Sequence, residues 1–146
     1  MRTRPEREAK ALLERLGIDT PPVDVEGIAS HLGIRVEYDS LKESVSALLY
    51  RRGEKALILV SNEQPEVRQR FSVAHEIGHY LLHRDPVFVE KPPAQLSFRN
   101  VSSSLGSDSK EIEANSFAAA LLLPSSWIYE SVARRRTARR QRQKNS

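Results

Sequence analysis

The sequence predicts an α+β domain in which a small antiparallel or mixed sheet of about three strands packs on helices. Three observations point there: two short segments of helical spacing open the chain, strand-like alternation follows over residues 34–60, and the 3.6 period returns for two longer helices. At 146 residues the chain can bury one core and is too short for two ordinary domains.

Between Glu6 and Leu16 the apolar residues Ala9, Leu12, Leu13 and Leu16 recur at helical spacing, and Gly17 stands where a helix terminates. Pro21 and Pro22 interrupt the chain. Asp24 can cap a second, short helix whose face is Val25, Ile28, Ala29 and Leu32, ending at Gly33. Ile34 to Tyr38 alternates apolar and charged residues, as a half-buried strand does. Val45–Tyr50 and Ala56–Val60 flank a polar, Gly-containing turn and predict a hairpin, whose strand 45–50 could align an extended peptide by edge pairing. Val67, Phe71, Ala74, Gly78, Leu81 and Leu82 mark one face of a long helix, with Pro65 at its start. Residues 85 to about 108 show no periodicity and predict a long loop. A last clear helix runs from near Asp108 to Leu123 and stops at Pro124, with a further short helix over 126–133.

The formal net charge is +4, but seven positive charges fall after Glu130, at Arg134, Arg135, Arg136, Arg139, Arg140, Arg142 and Lys144, with no acid among them. Without those seven the remainder stands at −3. Residues 1–133 are therefore expected to form the folded domain and 134–146 a solvated, disordered basic tail, with weak nucleic-acid contact as its functional alternative. There is no cysteine, so any metal must sit on histidine and carboxylate. No apolar run is long enough for a signal peptide or a membrane span, and a cytoplasmic location is the expectation.

The chemistry concentrates in His75-Glu76-Ile77-Gly78-His79. Residues four apart on a helix differ by about 400° of rotation and about 6 Å of rise, so the two imidazoles lean over the same side. They can share a Zn²⁺ and leave room for a third protein ligand and a water. Glu76, about 100° further round, is placed as a general base rather than a ligand. Gly78 costs about 0.8–1 kcal/mol against alanine inside a helix, which predicts a close approach by a neighbouring element. The later helix offers Ala114, Ala118 and Ala119 for that approach, and two carboxylates that could complete the metal site, Glu111 and Glu113. Glu111 shares a stripe with Ala114, Asn115, Ala118 and Leu122, which favours it, although with Asp108 it also has capping-box spacing. Asn115, one turn on, can accept a hydrogen bond from a ligand imidazole. His83 lacks the spacing of a third metal histidine, and His31 reads as a surface or packing residue.

The run Arg70–His83, containing the His-Glu motif, together with Glu111–Pro124, closely resembles the ImmA/IrrE family of metallo-endopeptidases, and Pro22–Ile34 is similar to an earlier part of it. The resemblance spans about residues 10–124. It implies a minimal zincin-like fold, Glu111 as the third zinc ligand, a cytoplasmic protein of bacterial or phage and mobile-element origin, and cleavage of a helix-turn-helix repressor of the XRE type. Beyond Pro124 the chain departs from the family and turns into arginines. The alternative is a non-proteolytic zinc-binding regulator that acts by binding a repressor or DNA.

Overall fold

A computed structural model describes residues 2–84, 96–98 and 108–145, with 96–98 as backbone. Helix α1 (Arg4–Arg15) starts at Thr3, whose hydroxyl accepts the Glu6 amide hydrogen bond. It ends as expected at Gly17, which takes φ +68°, a conformation costly to any residue with a Cβ. Asp24 Oδ1 accepts the Gly27 amide at 3.0 Å and caps α2 (Val25–His31).

Strands β1 (Ile34–Asp39), β2 (Ala47–Arg52) and β3 (Lys55–Ser61) follow. The hairpin closes with Arg52 opposite Lys55, leaving a two-residue turn in which Gly53 holds φ +61°. The sheet is mixed: β1 runs parallel to β3 and β2 antiparallel to it. To the three expected strands it adds a fourth, in the order β1-β3-β2-β4. The extra one, β4 (Leu96–Phe98), comes from the stretch expected to be loop, most of which lies outside the described residues. Its pairing with Leu48–Tyr50 puts β2 inside the sheet over those residues. Edge pairing of a peptide along the whole of 45–50 is thereby ruled out, because the backbone groups of Leu48–Tyr50 face a strand on each side.

Helix α3 (Glu66–Leu82) lies between the sheet and α4 (Asp108–Leu122), and α1 packs against α4. An element covered on two sides is buried nearly all round, and every residue from Ser72 to His79 is. The expected apolar face fails only at its beginning. Val67 is 80% exposed and Phe71 partly so, since the first turns of α3 extend past the core. That core gathers Leu12, Leu13, Ile28, Ile34, Leu49, Ile58, Val60, Val73, Ile77, Phe117 and Leu121.

Helix α5 (Ser125–Lys144) is one continuous helix through the residues expected to be a disordered tail. Its sequence has no Gly or Pro and is rich in Ala, Arg, Gln and Lys, all good helix formers. From Val132 onward every described residue is exposed, so the arginines spread into water along the helix.

Candidate metal centre

Two buried turns of α3 and the first turns of α4 build the site. The helical period puts His75 and His79 over one side of α3, and α4 crosses that side closely enough to bring Glu111 and Asn115 onto them. The crossing depends on Gly78. A Cβ placed there would lie 3.0 Å from Phe117 Cδ1 and 3.2 Å from Phe117 Cβ and Cγ. The close approach expected at Gly78 is present, but its partner is a phenylalanine rather than the alanines. Ala114 and Ala118 are buried beside it and Ala119 is exposed.

His75 Nε2 and His79 Nε2 stand 3.1 Å apart. Glu111 reaches both, Oε2 lying 3.0 Å from His75 Nε2 and Oε1 3.0 Å from His79 Nε2. Among the described residues these three form a group whose ligand atoms all lie within 4.8 Å of one another. Two imidazole lone pairs and a carboxylate converging this tightly repel unless protons or a cation lie between them. The spacing suits a cation, since bonds of about 2.0–2.1 Å in tetrahedral geometry set neighbouring ligands about 3.3–3.4 Å apart. Without a metal, burial alone would push the Glu111 carboxyl up. Hydrogen bonds from His75 and His79, with the charge of the two rings, outweigh burial and bring it from 4.5 down to about 2.

Asn115 Oδ1 lies 2.7 Å from His75 Nδ1, the nitrogen turned away from the centre. Glu113 is elsewhere: its Oε1 is 3.7 Å from His83 Nε2. The two acids flank the buried stripe Ala114, Phe117, Ala118 and Leu121 on opposite shoulders, so each reaches α3 at a different place. His83 lies just past the helix end and is not one of the three converging groups; His31 is exposed.

The family model for peptidase M78, described as the IrrE N-terminal-like domain, matches residues 29–143 and so continues past Pro124, where the sequence alone has the chain departing from the family. The chain belongs to this family. Uncharacterized immunity region protein 2 of Bacillus phage phi105 is 28% identical over 101 residues, an alignment covering 69% of this chain and 58% of the relative. The chain thus spans well under two thirds of that protein's length. The family it belongs to is a peptidase family, and the His-His-Glu cluster suits a metal ion.

In this IrrE-like domain the cluster opens onto a cleft of about 300 Å³ lined by Ser46, Gln64, Arg68, Phe71, His75, Glu76 and Glu111, among others. Glu76 is fully buried yet borders the cleft. From the sequence Phe71 has only a place on the apolar face of α3 and Arg68 no role, although Arg68 and Phe71 sit seven and four residues before His75 on the same helical stripe. Tyr80 and Tyr129 are not among the cleft residues. Tyr80 lies beneath the Arg51 guanidinium, 4.3 Å from its ring centroid, and Tyr129 is on exposed α5.

Proposed function

We propose that this chain is a zinc endopeptidase that cuts a helix-turn-helix repressor of the XRE type in the cytoplasm and so derepresses its target genes. The observation that carries the reading is the convergence of His75, His79 and Glu111 beside a cleft that Glu76 also borders. The donor set of two neutral imidazoles and one carboxylate is that of catalytic zinc, which uses three protein ligands and keeps a fourth position open. Zinc bound there supplies Lewis acidity toward a water and a peptide carbonyl.

The protein's own groups do the rest. His75, His79 and Glu111 hold the metal, and Asn115 keeps the His75 ring turned so that Nδ1–H points away and the Nε2 lone pair points in. Glu76 takes the proton of the attacking water and returns it to the departing amine, which needs a carboxylate beside the water and not spent on the metal. The cleft beside Phe71 and Arg68 receives the substrate chain. The immunity-region name of the phage relative fits a repressor-related role.

The test is incubation of the zinc-loaded protein with a purified helix-turn-helix repressor of the XRE type. Cleavage at one position by the wild type, absent with Glu76→Gln, is the expected result; an intact repressor with wild-type enzyme would remove the substrate assignment. A second reading, a non-proteolytic regulator that binds a repressor or DNA, draws on α5, whose seven basic residues from Arg134 to Lys144 are all exposed. Ending the chain at Ala133 separates the two. Persistent cleavage leaves the helix an accessory, whereas loss of repressor or DNA binding with zinc retained and no cleavage by the full chain favours the regulator.

A further inference from the structure

We propose that His83 and Glu113 are positioning residues for the metal centre, a two-residue relay that fixes the tautomer and orientation of His79. The proposal rests on reading His75, His79 and Glu111 as the metal site. It begins with a difference between the two histidines. Both turn Nε2 to the centre, so both must place their remaining proton on Nδ1 if Nε2 is to offer its lone pair. For His75 the acceptor is Asn115 Oδ1, a carbonyl oxygen that can only accept. For His79 the atom facing Nδ1, at 2.9 Å, is another imidazole nitrogen, Nδ1 of His83.

An imidazole nitrogen accepts only in the tautomer that lacks a proton there. His79 is therefore a sound ligand only if His83 carries its proton on Nε2. Glu113 selects that form, because Oε1 lies 3.7 Å from His83 Nε2, too long for a direct hydrogen bond but close enough for a carboxylate to favour N–H over a lone pair. The His79 and His83 side chains are 4% and 8% exposed and that of Glu113 34%, so solvent screens this preference only in part.

The backbone holds His83 for the purpose. The chain leaves the helix there, at φ −125° and ψ 82°. The His83 carbonyl accepts a hydrogen bond from Arg51 Nη1 at 3.0 Å, while the other Arg51 amine reaches the Tyr80 carbonyl. One strand residue thus pins the end of the metal helix, and with it the ring behind His79. The relay also assigns work to the second acid of α4, which is not part of the converging cluster.

The experiment measures zinc affinity by chelator competition in wild-type protein, His83→Phe, His83→Asn and Glu113→Gln. Phenylalanine keeps the ring and removes the acceptor, and zinc affinity is expected to fall about 10–100-fold. Asparagine puts Oδ1 where His83 Nδ1 was and is expected to restore most of it, which a packing role would not. Glu113→Gln should weaken binding less, and adding it to His83→Phe should cost nothing further, since both act through one chain. In wild-type protein loaded with zinc, nitrogen-15 NMR should show His79 protonated at Nδ1 and His83 at Nε2; this readout needs no variant to fold. Wild-type affinity in His83→Phe, additive losses in the double variant, or a His83 proton on Nδ1 would overturn the relay. Failure of the underlying metal site looks different, because His79→Ala would then bind zinc as the wild type does.

Discussion

Replacing Gly78 by alanine sets two effects of known sign against each other. Alanine in a helix interior is favoured over glycine by about 0.8–1 kcal/mol, and nothing in the helical backbone of α3 opposes it. Against this, the new methyl would meet Phe117 at 3.0–3.2 Å, tighter than ordinary van der Waals contact. The Phe117 ring can rotate away from one contact, but its Cβ is tied to the α4 backbone, and the residue is fully buried. Relief therefore means shifting α4 by a few tenths of an ångström. Overpacking of a tight core costs about 1–3 kcal/mol, so the net change is a destabilisation of about 0–2 kcal/mol where an unencumbered glycine would give a gain. The same shift carries Glu111 and Asn115 away from α3, so zinc affinity should fall as well. Urea unfolding of the metal-free protein, with chelator competition on the loaded form, reads both. A Gly78→Ala protein more stable by about 1 kcal/mol with unchanged zinc affinity would refute the claim that this contact sets the helix crossing.

Asn115→Ala removes the acceptor behind His75 and should weaken zinc about 10–100-fold with little change in the stability of the metal-free protein; chelator competition checks it. Arg51→Met breaks the hydrogen bonds to the Tyr80 and His83 carbonyls and the stacking on Tyr80, a loss of about 1–3 kcal/mol by urea unfolding. For Glu111 the carboxyl falls from 4.5 in the unfolded chain to about 2 in the folded metal-free protein. Its stabilisation is thus fully present above pH 4.5 and is lost as pH drops toward 2. Metal-free wild type should lose stability more steeply over that window than Glu111→Gln, and equal slopes would contradict the account.

What could be read from the sequence was what short-range periodicity controls. Two histidines four residues apart share a helix side whatever packs around them, and the stripe through Glu111 and Asn115 turns those two toward the same neighbour. The hairpin and helix ends were legible because Gly17, Gly33 and Gly53 mark backbone conformations with positive φ. What escaped depends on contacts between distant segments. The side chain over Gly78 is Phe117, because a glycine can receive an aromatic ring as well as permit a close backbone. Glu113 meets His83 because the buried stripe of α4 leaves an acid on each shoulder. β4 exists through pairing with β2, which no local pattern announces, and α5 continues through its arginines because helix propensity outweighs their mutual repulsion in water.

The most direct test of the centre is the zinc content of purified protein by elemental analysis, wild type beside His79→Ala. The geometry of His75, His79 and Glu111 predicts about one zinc per wild-type chain and essentially none in the variant. Full zinc occupancy in His79→Ala, with the fold intact, would contradict it.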